Sequence, residues 1–378
     1  MILFRVDGNT SIGTGHVMRC LSIAQALNAL GESCEFITAD YFMEPLITEK
    51  GFLCHVLQNI QITEPKITNK NIILTPTNST LQTAPFVSTK YDDLDSEIPS
   101  LCNFLSKLSN KNSNKKPLLL IDSYFVTKKY FDTLSDYAQI VYIDDLFQVP
   151  GQVDYLINYN CYGHLLDYAS QSIARKDYLL GTSFAPLRAE FQNVSYTIQK
   201  DCTRIFITTG GADQFNISGQ LLMEFSKHPT FSSFEFHVVM GMFHQHKEFV
   251  EQLATQYTNI KLHYQVQFMS ELMESCDLAV SAAGSTIYEL LAIGLPTISF
   301  AFVDNQNRIV DTLGKEGTIL STGHYQRDSS LLISRTVDAI INLSKDFSLR
   351  KVLHQKGKQA LDGKGAARIA TALLEWSH

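Results

Sequence analysis

Short apolar, β-rich runs alternate with helix-length stretches through nearly the whole chain, and this alternation limits the possible fold more than any other feature. In the first half the runs are Ile2 to Val6, Cys34 to Thr38, Pro117 to Asp122, Ile140 to Asp144 and Tyr155 to Tyr159. In the second they are Arg204 to Thr209, Phe234 to Met240, Ile260 to Tyr264, Leu278 to Ser281 and Thr297 to Phe302. A strand that is apolar along its length is covered on both faces, and a helix between strands is the connection that parallel pairing requires. The order therefore predicts an α/β chain of two Rossmann-like domains facing a cleft, with doubly wound parallel sheets over residues 1–195 and 196–378. The polar stretch from Val194 to Thr203 marks the break, and 378 residues with 45% hydrophobic content suffice for two medium cores.

One region departs from the pattern. Residues 60–116, rich in Asn, Thr, Lys and Ser, are longer than an ordinary connection and read as an elaboration of the first domain. Inside it Leu94, Ile98, Leu101, Cys102, Leu105 and Leu108 recur at helical spacing, which predicts a helix from about Leu94 to Leu108. From Leu349 to Trp376 helical periodicity returns, interrupted by Gly363 and Gly365, and this segment is expected to cross back onto the first domain.

The chemistry gathers at the glycine turns. Arg5-Val6-Asp7 closes the first strand, and Ser11-Ile12-Gly13-Thr14-Gly15-His16-Val17-Met18-Arg19 leads into a helix expected from about His16 to Leu30. Gly13 and Gly15 permit a tight bend and close approach to a ligand, while the helix aims its free amides at the gap, a setting suited to an anion. His16 stands on the first turn, and an imidazole there can act as a general base. The bland rival is a histidine that only caps or packs.

A second glycine turn, Thr208-Thr209-Gly210-Gly211-Ala212-Asp213, opens the second half, and a third runs Ser281-Ala282-Ala283-Gly284-Ser285-Thr286-Ile287-Tyr288-Glu289. Gly284, Ser285 and Thr286 can supply amides and hydroxyls to a diphosphate, and Glu289 one turn later can accept both hydroxyls of a ribose. That combination describes a nucleotide, against the plainer reading of a capped helix with Glu289 on its solvated face. Asp122 and Tyr124 end a central strand at the ligand edge, where the aspartate serves either a ligand or the cap of the next helix, and Asp144-Asp145 can orient a loop. Asp93-Leu94-Asp95 mimics a metal motif but falls at a helix start, where acidic residues favour the dipole. Phe243-His244-Gln245-His246 reads as a solvated helix start, so no metal site is expected.

These residues carry a resemblance. Gly210-Gly211, Gly284, Ser285, Thr286 and Glu289 resemble the nucleotide-sugar enzymes of the glycosyltransferase-B type, including the lipid II-forming N-acetylglucosaminyltransferases. Ile12 to Arg19, Ile121-Asp122-Ser123-Tyr124, Ile143-Asp144-Asp145, Gly181 to Phe191 and Asp304-Asn305-Gln306 are similar, in that order and over nearly the whole chain, to the UDP-sugar hydrolases of pseudaminic acid (nonulosonic acid) biosynthesis. Spore coat polysaccharide proteins share much of this pattern, and the 60–116 segment lies outside it. The resemblance implies hydrolysis of UDP-2,4-diacetamido-2,4,6-trideoxy-β-L-altropyranose to UDP and free sugar, with inversion, His16 as base, and no metal or cofactor. It also places Tyr124, Asn305 and Gln306 at the sugar, and Arg5, Asp7 and Arg188 beside the cleft. Gly210, Gly211 and Asp213 join the UDP site, and uracil as the base rests on the resemblance alone. A glycosyltransferase with another acceptor and a non-catalytic nucleotide-sugar binder remain as alternatives.

Composition excludes other classes. A formal charge of -7 leaves no broad basic surface for nucleic acid. Seven cysteines, an odd number without close pairs, suit reduced thiols in a cytoplasmic protein. Met1 to Val6 is too short and too soon charged for a signal peptide, and no apolar run approaches the roughly 20 residues that span a bilayer. A small-molecule UDP-sugar is the expected partner, with no nucleic acid and no membrane insertion; the sequence does not fix the oligomeric state, and a monomer is compatible with it.

Overall fold

The computed structural model describes residues 1–9, 13–57, 93–109, 116–171 and 173–377. Most of the polar elaboration expected at 60–116 therefore lies outside the described residues.

In the first domain the elements run β1 (Ile2–Val6), α1 (Gly15–Ala29), β2 (Cys34–Thr38), α2 (Glu44–Glu49), β3 (Leu53–Val56), α3 (Ile98–Ser109), β4 (Leu118–Asp122), α4 (Lys128–Leu134), β5 (Gln139–Ile143), β6 (Val153–Asn158) and β7 (Ala174–Leu180). In the second they run β8 (Arg204–Thr208), α5 (Ile217–Ser226), β9 (Glu235–Met240), α6 (Lys247–Gln256), β10 (Ile260–Tyr264), α7 (Met269–Glu274), β11 (Leu278–Ala282), α8 (Thr286–Ile293), β12 (Thr297–Ala301), α9 (Asp304–Glu316), β13 (Leu320–His324) and α10 (Tyr325–Lys345). Helices α11 (Phe347–Ala360) and α12 (Gly365–Ser377) close the chain.

The first sheet has the strand order β3-β2-β1-β4-β5-β6-β7 and the second β10-β9-β8-β11-β12-β13, every pairing parallel. Both reverse direction of winding beside their first strand, between β1 and β4 and between β8 and β11. A doubly wound sheet opens a crevice at that reversal, outside the carboxyl ends of its strands. The segments that follow these four strands hold Gly13 to His16, Ser123 and Tyr124, Gly210-Gly211 and Gly284 to Thr286, with Asp122 ending β4 itself.

Central strands β1, β4, β11 and β12 are buried at every position, as sheets covered by helices on both faces require. One apolar cluster does not stop at the domain boundary. It joins Ile157, Tyr159, Cys161, Leu187 and Phe191 to Ile287, Tyr288, Leu291, Ile309 and Leu313, and continues into Ile369 and Leu373. Arg350, fully buried on α11, donates to the carbonyls of Gln199 and Lys200 in the connection between domains.

Three strands escape the sequence pattern: β3, β7 and β13, all at sheet edges. Strand β7 carries Arg175, Lys176 and Asp177, and β13 holds Gly323 and a register shift against β12. Edges need less apolar surface and use charge and irregularity to discourage further pairing. The helix expected from Leu94 starts instead as a 3-10 turn over Asp95–Glu97 and becomes α-helical at Ile98, with Leu94, Ile98, Leu101 and Leu105 buried.

Helix α12 packs on α1 and β4 of the first domain, and Trp376 stacks on Tyr155 with ring centres 4.0 Å apart. Gly365 makes that seating possible, because a Cβ there would fall 2.1 Å from the carbonyl oxygen of Ala185. Gly365→Ala is expected to cost about 1–3 kcal/mol by overpacking against backbone. Urea denaturation reads this loss, and Trp376, the chain's single tryptophan, reports the helix shifting through its emission. An unchanged midpoint and spectrum would contradict this seating.

Candidate active site

Around His16 the first domain assembles a buried charged cluster. His16 lies on the first turn of α1, Arg19 one turn later, and Asp122 is the last residue of β4, paired in register with Val6. The His16 Nδ1 is 2.5 Å from Asp122 Oδ1, and Arg19 Nη2 lies 2.9 Å from the same nitrogen. The carboxylate can only accept, so Nδ1 carries a proton and donates to it, while the guanidinium also turns its protons to Asp122, through Nε at 2.5 Å and through Nη2. Among the described residues no partner is found for Nε2, so whenever the ring carries a single proton, held on Nδ1, this is its lone-pair nitrogen. Tyr124 sets its ring edge-on to the imidazole at 4.5 Å and donates to Asp145 Oδ2 at 3.2 Å. Arg19 completes the cluster by donating Nη1 to Asp145 Oδ2 at 2.7 Å and to the Tyr159 hydroxyl at 2.5 Å.

Electrostatics follow from this packing. Burial works to raise the Asp122 pKa, but Arg19 first and His16 second outweigh it and hold the carboxyl well below the usual carboxylate range. Tyr124 is 37% exposed, but the side that packs on the cluster is desolvated; this desolvation pushes its pKa up, with Asp145 adding to it, so it remains a neutral donor. Asp144 binds the amides of Leu146 and Gln148 and the hydroxyl of Tyr168, which fixes the loop behind the cluster.

Several placements correct the sequence reading. Asp122 does not face a ligand: it is fully buried, and its oxygens are committed to His16, Arg19 and the Cys20 thiol. Arg5, placed beside the cleft by resemblance, is also fully buried, clamped on Glu97 through Nε and Nη2 and bonded by Nη1 to Asp7 Oδ1 and the Val6 carbonyl. Asp7 is buried with it, and its Oδ2 has no partner among the described residues. Glu97 was not legible as a partner, since it stands 92 residues from Arg5 in the sequence.

In the second domain, the glycine turns are open. Gly210, at φ +86, and Gly211 are exposed, and a Cβ on Gly13, Gly15, Gly210, Gly211 or Gly284 would meet nothing within 4 Å. Gly241 lies so close behind this turn that a Cβ would fall 2.4 Å from the Gly211 carbonyl oxygen. Ser285 is exposed with its hydroxyl unused in capping α8, and Thr286 follows at the first helical position.

Asp213 is another correction. Its carboxylate accepts from the amides of Ile217 and Ser218 and from the Ser218 hydroxyl, with His244 Nε2 at 3.3 Å, and the residue is 2% exposed. Burial raises its pKa, but the bonds from His244 and Ser218 prevail and lower it. It therefore ties down the start of α5 rather than touching a nucleotide, and His244, expected in solvent, is buried as its partner. Gln306 accepts from the Phe302 amide at 3.1 Å and is buried, which makes it a brace for the turn into α9, while Asn305 beside it is exposed.

Glu289 is reached by Arg188 from the first domain, with Nε at 3.2 Å and Nη2 at 3.0 Å, both on Oε1. Arg188 also pairs with Glu190, whose other oxygen accepts from the Ser270 amide and hydroxyl. Burial raises the Glu289 pKa against the pull of Arg188. Phe42 and Phe243 bring loops of the two domains together, their ring centres 5.8 Å apart.

Among the described residues no group of three or more His, Cys, Asp or Glu side chains is placed to hold a metal ion. Asp93 and Asp95 are spent locally: Asp93 accepts from the Asp95 amide, and Asp95 accepts from the Thr127 hydroxyl. No described helix is long and apolar enough to cross a membrane.

Comparison with known proteins supplies the wider frame. The whole chain superposes on MurG of Acinetobacter baumannii with a TM-score of 0.62 and 13% identity, covering 99% of each chain. The fold is of the glycosyltransferase-B type. Residues 204–317 match the glycosyltransferase family 28 C-terminal domain. The chain is 28% identical over 199 residues to the spore coat polysaccharide biosynthesis protein SpsG of Bacillus subtilis, covering 52% of this chain and 57% of that protein. It thus spans little more than half the length of that relative. To the UDP-2,4-diacetamido-2,4,6-trideoxy-β-L-altropyranose hydrolase of Campylobacter jejuni it is 23% identical over 318 residues, 84% of this chain and 97% of that protein.

The depressed Asp122 pKa has a thermodynamic consequence. A carboxyl held below its unfolded value near 3.8 contributes stability that is complete above that pH and is lost as the pH falls toward the folded value. Asp122→Asn leaves Arg19 without its main counter-charge and is expected to cost about 3–5 kcal/mol at neutral pH. Urea titrations at neutral and acid pH should also show the variant losing less stability than the wild type as the pH drops through 4 and below. Parallel curves would contradict the pairing.

Proposed function

We propose that this chain is an enzyme acting on a UDP-sugar, with the nucleotide on the second domain and His16 of the first as the base that activates the attacking hydroxyl. The observation that carries the reading is the His16–Asp122 pair at the switch point of the first sheet. It leaves Nε2 without a partner among the described residues, in a cleft whose far wall holds the open turns at Gly210-Gly211 and Gly284-Ser285.

The chemistry is displacement at the anomeric carbon. Nε2 takes the proton of the incoming O–H as its oxygen bonds to carbon, and the bond to the diphosphate oxygen breaks with its electron pair leaving on UDP. Attack opposite the leaving group inverts the centre. Amides at Gly13, Gly210, Gly211, Ser285 and Thr286, with the hydroxyls of the last two, offset the charge that develops on the diphosphate. Glu289 accepts from the ribose through Oε2, and Arg188, already on Oε1, favours its charged form and orients it. Tyr124 and Asn305, both exposed, serve the sugar, and Asp122 holds the imidazole in its working tautomer.

The nature of the acceptor separates two versions. The glycosyltransferase match over residues 204–317 and the fold favour transfer of the sugar to an acceptor hydroxyl, in synthesis of a surface or spore coat polysaccharide. Hydrolysis of the UDP-linked diacetamido-trideoxy-altropyranose on the way to a nonulosonic acid is the second version. The likeness to the Campylobacter hydrolase along 97% of its length favours it.

Purified protein given UDP-2,4-diacetamido-2,4,6-trideoxy-β-L-altropyranose in EDTA, with only water as acceptor, distinguishes them. UDP binding with no UDP released from this sugar supports transfer, or hydrolysis of another UDP-sugar; rapid release supports hydrolysis, and failure to bind UDP overturns both. His16→Ala is expected to keep UDP affinity and to slow turnover about 10²–10⁴-fold, the usual worth of a general base. Turnover at the wild-type rate would remove His16 from the mechanism.

A further inference from the structure

Two buried tyrosines join the nucleotide helix to the base cluster, and nothing in the reading above uses them. Tyr288 precedes Glu289 on α8, is 1% exposed, and reaches into the first domain. Its hydroxyl donates to Asn160 Oδ1 at 3.0 Å and accepts from the Cys161 amide at 3.3 Å. Both partners belong to the turn after β6. That turn is held in place independently, since Asn158 Oδ1 accepts from the Asn160 amide at 3.0 Å and Asn158 Nδ2 donates to Tyr168 at 2.8 Å.

Tyr159 belongs to the same turn. It packs edge-on to Tyr288 at 5.9 Å, lies 5.4 Å under the Arg19 guanidinium, and accepts from Arg19 Nη1 at 2.5 Å. Arg19 in turn holds the Asp122 carboxylate that orients His16. A continuous route therefore leads from the helix that begins with Ser285 and Thr286 to the imidazole: a hydrogen bond joins Tyr288 to Asn160, the peptide bond joins Asn160 to Tyr159, and hydrogen bonds carry on through Arg19 and Asp122 to His16. The apolar cluster shared between the domains surrounds this run, so slack cannot be taken up by solvent.

We propose that Tyr288 and Tyr159 are positioning residues that lock the nucleotide-site helix to the base cluster, so that the span between the bound diphosphate and His16 is set before substrate enters. Attack on an anomeric carbon is sensitive to that span, because misplacement of reacting groups by about 1 Å can cost 100-fold in rate. A single hydroxyl at Tyr288 serves both partners on the turn, and a single hydroxyl at Tyr159 serves Arg19. Phenylalanine at either position removes the tie and keeps the ring packing.

This inference rests on the functional reading in placing UDP at α8, and its test separates the two. Protein labelled with ¹⁵N-histidine gives the His16 Nδ1 proton resonance, identified by its absence in His16→Ala. Tyr159→Phe is expected to shift or broaden that resonance, Tyr288→Phe to do so from the other domain, and the double variant to add little beyond the larger single effect. UDP affinity should stay within twofold in all three variants, and turnover, followed with whichever UDP-sugar the wild type consumes, should fall at least tenfold in kcat with KM nearly unchanged. A resonance that stays put in Tyr288→Phe while UDP still binds overturns the tie alone. So does a Tyr288→Phe chain that loses UDP affinity in step with its resonance change, since the tyrosine would then be part of the nucleotide site's own framework. Wild-type protein that fails to bind UDP overturns the functional reading and this inference with it.

Discussion

The arrangement of the site depends on an apolar cluster that belongs to neither domain alone. Side chains from β6, from the turns after β6 and β7, from α8 and α9 and from the returning α12 share one interior. A parallel sheet with helices on both faces is complete by itself, and two such sheets could be joined in many orientations. Burial of this shared surface, at roughly 25 cal/mol per Å² of apolar area, selects the orientation in which the carboxyl ends of both sheets look into one cleft. Helix α8 is the central piece. Its first residues border the open glycine turn, its apolar face carries Ile287, Leu290 and Leu291 into the interior, and Tyr288 crosses into the first domain.

Within that frame charge is used for geometry more than for stability. Replacing a buried ion pair by well-packed apolar groups is often neutral or stabilising, so the fully buried Arg5 and the nearly buried Arg19 are costly choices. What they provide is direction. Arg19 has donors enough to grip Asp122 twice while also reaching Asp145 and Tyr159, which leaves the imidazole of His16 little freedom to turn. Arg5 does the same for the end of β1, where Asp7 and Glu97 share its guanidinium. Asp213 shows the principle without a buried guanidinium, gathering two amides, a hydroxyl and an imidazole to hold the start of α5.

The fold was largely legible in the sequence because central parallel strands are buried on both faces and appear as continuous apolar runs, while glycines punctuate their ends. Edge strands β3, β7 and β13 escaped because one side of each faces solvent and carries polar or charged residues. For the site, local signals reach only local features: the glycine turns that the structure leaves open, and the place of His16 on the first turn of α1, are both visible in the sequence. They failed where a role depends on a distant partner. Asp122 looked equally like a ligand contact or a cap, and only the approach of α1, more than a hundred residues away, makes it the partner of His16. Arg5 and Glu97, His244 and Asp213, and Tyr288 and Asn160 are of the same kind, since no periodicity or motif encodes contacts between remote segments.

The claim on which the chemistry turns is that Asp122 fixes the proton of His16 on Nδ1 and frees Nε2. The ¹⁵N chemical shifts of the two His16 ring nitrogens, recorded at a pH where the ring is neutral, measure this directly. Nδ1 should resonate as a protonated, pyrrole-like nitrogen and Nε2 as an unprotonated, pyridine-like one. The reverse assignment, with the proton on Nε2, would contradict a base oriented by Asp122.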